Sequence, residues 1–422
     1  MRSSATGGGD NRLLLAWVEF VANVAGYAYF AYLPLFMSNL GLSPSEVTFS
    51  MTWMTVGVIF SFLFGKASDR TGRRKPFVVA GLLLQVLVFA VLGLGTSVAF
   101  FSVVNLLRGF SLALRGPATN AYFSDVLEER NVRQLGDCPP QSTEIRGTQL
   151  SLLTTTTSAG WAIGAAASGV LVERFGGAGL SWFLLAFGLA AAVSSAFLRD
   201  AGWRLPPGGL EGGPDGNPAS GTGAVGDVVT GGDGFQARNG RGAVNKLVYA
   251  GFFIRHFGLI VHLQILVVIL ADAGISPSVA GTIVALNPLG QVVGMVLVGR
   301  LVDHPRVSEK ATMGVGYLLS AATLASYALG VSAKTAWPFV AGQLFLSFGY
   351  ACIATGANKY ISNRTTPVDR ARHMGYRDAA FQGSKLVAYP AFAALWTTYA
   401  YAQVLPFAVA FPLAAAVLVV FL

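Results

Sequence analysis

Apolar runs of about 18 residues or more, each long enough to cross a hydrocarbon core of roughly 30 Å, dominate the chain. Six precede residue 200 and six follow residue 245, at about 13–37, 47–65, 76–96, 99–124, 147–173, 179–198, 247–271, 279–300, 311–331, 337–358, 375–398 and 403–422. In lipid every backbone polar group must be satisfied within the protein, so runs of this length are expected as helices. The first, about Leu13 to Met37, exceeds the roughly 7–15-residue apolar core of a signal peptide and is expected to stay as the first helix. The pattern predicts an all-α membrane protein of twelve transmembrane helices in two six-helix bundles, residues 1–200 and 246–422. Between them, 201–245 is Gly-rich, has no hydrophobic period and is expected as a cytoplasmic linker.

The two bundles read as a duplication. Gly41-Leu42-Ser43-Pro44-Ser45 recurs as Gly274-Ile275-Ser276-Pro277-Ser278, and each copy opens a span that ends in Gly-x-x-x-Asp, at Gly65 to Asp69 and at Gly299 to Asp303. Pseudo-symmetric halves of this kind are a transporter architecture.

Composition agrees with the pattern: 53% of the 422 residues are hydrophobic and 12% charged, against roughly 25% charged in soluble domains. The net charge of +9 raises nucleic acid as a partner, and its distribution argues against it. Arg174 and Lys334 fall in odd-numbered loops and Arg108, Arg115, Arg255 and Lys385 in spans; the other Lys and Arg lie at the N-terminus and in even-numbered loops. This is the positive-inside pattern, from which both termini are expected in the cytoplasm; the plasma membrane is the expected location. Cys138 and Cys352 offer neither a disulfide framework nor metal spacing. Neither a cofactor nor a metal is expected, nor an enzyme: the odd-numbered loops are short, and there is no Gly-x-x-x-x-Gly-Lys-Ser/Thr loop for ATP.

The loop after span two reads Gly65-Lys66-Ala67-Ser68-Asp69-Arg70-Thr71-Gly72-Arg73-Arg74-Lys75. It resembles the Gly-x-x-x-Asp-Arg-x-Gly-Arg-Arg signature of the major facilitator superfamily, and the twelve spans, central linker and repeat extend the resemblance over the whole chain. Physically, Gly65 permits close helix approach, Gly72 a tight turn, and the basic cluster anchors the loop. The resemblance implies a conformational latch of Gly65, Asp69, Arg70, Gly72, Arg73 and Arg74, completed by Asp125 at the end of span four. Arg146-Gly147 and Arg372 resemble the basic openings of spans five and eleven, whereas the second-half copy keeps Gly299 and Asp303 but loses Gly-Arg-Arg. Proton-coupled exporters often carry Arg-x-x-Gln-Gly in span four, where this chain has Asn105-Leu106-Leu107-Arg108-Gly109. Antiporters tend to carry Gly-x-x-x-Gly-Pro in span five, where it has Gly160-Trp161-Ala162-Ile163-Gly164-Ala165. The missing proline weighs against an antiporter, while Gly160, Gly164 and Gly169 still permit close packing.

Ionisable residues within spans are functional candidates because lipid penalises them. At 1.5 Å per residue, Glu19 lies about 9 Å, Arg115 about 13 Å and Arg255 about 12 Å from the cytoplasmic ends of spans one, four and seven, with Arg108 about 10 Å deeper than Arg115. The resemblance implies a central cavity lined by spans one, four, seven and ten. Glu19 is expected to pair with Arg115, with Arg255 opposite. His256, His262, Asp378 and Lys385 complete the ionisable set; His262 also reads as a packing residue and Asp378 as a helix-start residue. Asn23 and Tyr27 follow Glu19 on one helix face, Asn287 and Gln291 share another, Asn105 lies on the face of Arg108, and Gln382 lies between Asp378 and Lys385. The Thr154–Thr157 run is expected to bond back to helix carbonyls.

The expected function is a secondary transporter of a small organic solute by alternating access. The intramembrane cations favour an anionic solute, with Glu19 as the titratable group if protons are the coupling ion. Expected partners are the lipid bilayer and the solute, and the expected state is a monomer. Two other readings stand: a proton-coupled multidrug efflux antiporter using Trp17, Tyr27, Phe30, Trp53 and Trp161 as an aromatic pocket, and a non-transporting receptor or scaffold that works through its cytoplasmic insert, about Leu127 to Ile145, and its linker.

Overall fold

The computed structural model describes residues 11–135, 143–199, 244–304, 306–365 and 367–422, and the regular structure among them is helical. The first half contains α1 (Asn11–Asn39), α2 (Pro44–Ile59), α3 (Ser61–Thr71), α4 (Lys75–Val91), α5 (Val98–Leu135) and α6 (Thr143–Ala196). The second contains α7 (Leu247–Gln264), α8 (Leu266–Asp272), α9 (Pro277–Asp303), α10 (Glu309–Ala333), α11 (Trp337–Arg364), α12 (Pro367–Leu395), α13 (Tyr401–Ala408) and α14 (Ala410–Val420). Expected spans two, seven and twelve are each interrupted for one residue, at Phe60, Ile265 and Val409.

Among the described residues, ten helical stretches are long and apolar enough to cross a membrane. The difference from twelve has two physical sources. Gly176, at φ 62 and ψ −161, turns the chain inside α6, so one continuous stretch supplies expected spans five and six. The other is α12, whose Arg377, Asp378, Gln382 and Lys385 lower its hydropathy.

The sequence repeat sets two equivalent helix starts by different bonds. At the first, Gly41 adopts φ 87 and Ser43 caps α2: its Oγ accepts from the Glu46 amide at 3.3 Å, while Glu46 Oε2 accepts from the Ser43 amide at 2.8 Å. At the second, Gly274 adopts φ 80 and Pro277 opens α9, but Ser276 makes no side-chain cap. Glu173 of the first half supplies the acceptor instead, its Oε2 taking the Ser278 amide at 2.9 Å.

This contact belongs to a closure between the halves at the end that bears the Gly41 and Gly274 turns. Tyr32 Oη donates to Pro277 O, and Gln264 Nε2 reaches Phe30 O at 3.5 Å. Helices α6 and α9 cross at Gly169 and Gly281; a Cβ on Gly281 would stand 2.6 Å from Ala165 O and 3.1 Å from the Gly169 Cα. One apolar core runs through both halves here, from Tyr29, Tyr32 and Leu33 to Leu266, Ile269, Phe339 and Phe392. At the end bearing the described chain ends the buried clusters are separate, Leu15, Val78, Tyr122 and Ala191 in the first half and Val248, Met313, Tyr360 and Val419 in the second. Among the described residues the apolar core joins the halves at one end and is divided between them at the other.

The latch is described in part. Gly72 has φ 61 and makes the expected turn. A methyl on Gly65 would meet Pro117 Cβ at 3.4 Å, van der Waals contact with α5. Arg70 and Arg73 are exposed, and Arg74 Nη1 donates to Ser68 Oγ at 3.2 Å. The side chains of Asp69, Asp125, Arg146, Asp303 and Arg372 lie outside the described residues, as do Cys138, Thr154 and the linker.

Candidate functional site: a cation-lined central cavity

Between the parted halves lie two adjoining cavities, of about 470 and 490 Å3, that share Asn23, Leu112, Trp161, Gln291 and Tyr350 in their walls. The first occupies the middle of the molecule. The second, bordered by Glu19, Arg115, Thr119 and Met295, lies toward the parted end. Helix periodicity brings the polar stripes of α1, α5, α9 and α12 onto this space, where protein and water replace lipid.

In the first half one hydrogen-bonded chain connects the two cavities. Glu19 is buried; its Oε1 lies 3.5 Å from Arg115 Nε and accepts from Thr119 Oγ1 at 3.0 Å, and its Oε2 accepts from Asn23 Nδ2 at 3.1 Å. Asn23 Oδ1 in turn accepts from Trp161 Nε1 at 3.0 Å. On the other side, Gln85 Oε1 accepts from both Arg115 Nη1 at 3.2 Å and Arg108 Nη1 at 3.0 Å, and Gln85 is held by its own Nε2 bond to Ala22 O. Arg108 also donates to Ser111 Oγ at 3.2 Å. Glu19 thus serves Arg115, while Arg108, 4% exposed on the cavity wall, has amide and hydroxyl partners and no carboxylate.

In the second half Arg255 is 2% exposed and borders the same cavity. Its Nε donates to Ser320 Oγ at 3.0 Å and its Nη1 to His256 Nε2 at 2.6 Å. A guanidinium has no acceptor and a carbonyl no donor, so His256 accepts through Nε2 and donates from Nδ1 to Phe252 O at 2.7 Å, the neutral imidazole. Among the described residues, Arg255 Nη2 has no hydrogen-bond partner. The Nζ of Lys385 sits 4.0 Å over the Phe381 ring. Arg108, Arg255 and Lys385 therefore border a cavity whose wall, among the described residues, contains no Asp or Glu.

Amides and aromatic rings fill the remaining wall. Asn287 Oδ1 accepts from Gln291 Nε2 at 2.9 Å, and Gln382 and Gln343 face the same space. Gln343 Nε2 donates to Tyr327 Oη at 2.7 Å, while its Oε1 has no partner among the described residues. Tyr27 stacks on Trp161 at 5.3 Å and 14° and on Phe30 at 5.7 Å and 22°.

Three candidates fall elsewhere. The Oδ1 of buried Asn105 accepts from Tyr29 Oη at 3.0 Å, so it positions a wall residue without bordering the cavity. His262 donates from Nδ1 to Gly258 O at 2.9 Å and stands edge-on to Phe392 and Trp396, the packing role. Asp378, 67% exposed at its side chain, pairs with Arg377 at 2.8 Å. Arg255 joins the central cavity with His256, away from the Glu19–Arg115 pair. Gln85, Gln343, Tyr350 and Ser320 were not singled out by the sequence reading; a glutamine inside an apolar run, as in Leu82-Leu83-Leu84-Gln85-Val86, was the available signal.

A two-half helical bundle around a central cavity is an architecture shared by membrane transporters, and comparison with known proteins agrees. The sequence model of the Major Facilitator Superfamily matches residues 15–232 and 248–422, so the chain belongs to that superfamily. An uncharacterized MFS-type transporter of Bacillus subtilis (strain 168), YqjV, is 37% identical over 76 residues, which is 18% of this chain and 18% of that protein. The nucleoside transporter NupG, in a variant crystal structure, superposes with TM-score 0.75 at 11% identity, covering 97% of this chain and 99% of that one. The POT family transporter PepTSo superposes at 0.73 and 13% identity over 97% of each chain. At these identities the likeness is one of fold.

Proposed function

We propose that the protein is a secondary transporter of a small organic anion that works by rocking of two halves, residues 1–200 and 246–422, about the central cavity. The observation that carries this reading is the set Arg108, Arg255 and Lys385 on a wall without a carboxylate. Buried cations are costly unless paired, so a partner that arrives with the solute is favoured. Arg108 belongs to one half and Arg255 and Lys385 to the other. An anion between them offsets the mutual repulsion of the two sides, so binding and closure of the parted end favour each other. With both termini in the cytoplasm and the protein in the plasma membrane, as the basic even-numbered loops support, the parted end faces the cytoplasm.

Glu19 is the proposed proton site. Thr119 and Asn23 donate to its carboxylate and Arg115 pairs with it, and the chain through Arg115 and Gln85 leads to Arg108. In this reading Glu19 takes up a proton only in the conformation that separates it from Arg115. The protein acts as a monomer in this reading, with Asp69, Asp125 and their basic neighbours as the latch.

Uptake of a pooled set of labelled organic anions and lipophilic cations into proteoliposomes, with and without an imposed pH gradient, tests the proposal. Anion movement is expected to be lost in Arg255→Ala, and its dependence on the gradient lost in Glu19→Gln. Lipophilic cation transport that survives Arg255→Ala would overturn it in favour of the multidrug antiporter.

A further inference from the structure

We infer that the solute is a small aromatic carboxylate that carries a hydrogen-bond donor, a hydroxyl or amino group, away from its acid group. The inference rests on the anion reading above and goes beyond charge to shape and to the second polar group. Three features of the cavity wall carry it, and they are independent of one another.

The first is the wall itself. Trp161, Tyr27 and Phe30 form a stacked row, with interplanar angles of 14° and 22°, and all three are partly exposed and border the cavity, as do Phe381 and Tyr350. Aromatic rings on a cavity wall make offset or edge-to-face contacts with a planar ring, which add to what burial of the same area provides. An aliphatic anion would lack those contacts. The second is the pair of unpartnered polar atoms on buried wall residues. Among the described residues, Arg255 Nη2 is a charged donor without an acceptor and Gln343 Oε1 an acceptor without a donor, both atoms buried on side chains 2% and 1% exposed. Buried polar groups are paired in nearly all proteins, and each exception asks for a partner that arrives from elsewhere. A carboxylate answers the first and a hydroxyl or amine the second. The third is size: about 470 Å3 lies near the lower end of the roughly 300–1,000 Å3 range of small-molecule sites and suits one ring or two with their substituents.

The Arg255 anchor is held in place by its other contacts. Ser320 and neutral His256 fix two of the three guanidinium nitrogens, so Nη2 keeps its direction when the site is empty. Such preorganisation lowers the ordering cost of binding.

Equilibrium binding to the purified full-length protein tests the inference with five probes: 4-hydroxybenzoate, benzoate, cyclohexanecarboxylate, succinate and benzylamine. 4-Hydroxybenzoate should bind best, benzoate about tenfold more weakly for want of one buried hydrogen bond, and cyclohexanecarboxylate weaker than benzoate by about three- to tenfold. Benzylamine should not compete. Gln343→Leu should bring the ratio of 4-hydroxybenzoate to benzoate affinity close to one, a change that a general loss of folding would not produce. Trp161→Leu should erase the advantage of benzoate over cyclohexanecarboxylate, and Trp161→Phe should restore it. Equal binding of succinate or cyclohexanecarboxylate and the aromatic acids would overturn this inference and leave the anion reading standing. Binding of benzylamine in place of the acids would overturn both. An absence of binding by either aromatic acid at millimolar concentration would overturn the inference, and the anion pool in proteoliposomes would then decide the broader reading.

Discussion

Gln85 shows how much one uncharged side chain can do between charges. Its Oε1 accepts from Arg108 and Arg115, which connects the cavity wall to the Glu19 pair through a single atom. Gln85→Leu would leave two buried guanidinium groups each short of an acceptor, at about 1–3 kcal/mol apiece. The expected outcome is a lowered thermal midpoint in detergent together with reduced anion uptake. Gln85→Glu should recover the midpoint by supplying acceptors, yet bind organic anions more weakly, because its charge competes for Arg108. Unchanged midpoint and uptake in Gln85→Leu would show that the bridge carries nothing. At this scale the sequence was legible where depth alone decides: Glu19 and Arg115 lie at similar depths on α1 and α5, and the structure places them 3.5 Å apart. Depth does not give the direction around a helix, which separates Arg255 from that pair and His262 and Asp378 from the cavity. The orienting contact of His256 on Arg255 was hidden for another reason: neighbours in sequence normally diverge around a helix, and only the guanidinium's length closes the gap.

Between elements, the repeated Gly-Leu/Ile-Ser-Pro-Ser segments predict two matching helix starts, and the turns at Gly41 and Gly274 do match in φ. The caps do not match, because Glu173 of the other half takes the amide of Ser278. A single sequence shows local capping but not which distant residue replaces it. The same limit applied to Gly169: small residues in span five announced a close crossing, and only the structure identifies its partner as Gly281 on α9. Since the obstruction at Gly281 is the Ala165 backbone carbonyl, which cannot rotate away, Gly281→Leu should force this end of the halves apart. A Ser278→Cys reporter, in a background with Cys138 and Cys352 replaced, should then label severalfold faster with a membrane-impermeant maleimide. Labelling and transport both unchanged would mean that the crossing does not hold this end closed.

Across the whole molecule the apolar core runs through both halves at one end and divides into two clusters at the other. The halves therefore have most of their shared burial near the Gly41 and Gly274 turns, and motion of one against the other must trade that burial for contacts at the parted end. A linker between rocking halves needs reach, not structure, whereas a receptor or scaffold would use the linker as its working surface. The Gly-rich composition of 201–245 is what makes the first role the expectation. Removing 208–234 leaves about 17 residues between Arg199 and Val244, enough to span about 55 Å when extended. The shortened protein should therefore keep its anion uptake and its thermal midpoint, within about 0.5 kcal/mol of the parent, the scale of a surface change away from packed features. Proteoliposome uptake measured beside the parent chain checks this. Loss of uptake in a protein that remains folded and membrane-inserted would mean that the linker takes part in the cycle, and full retention removes the linker from the scaffold reading.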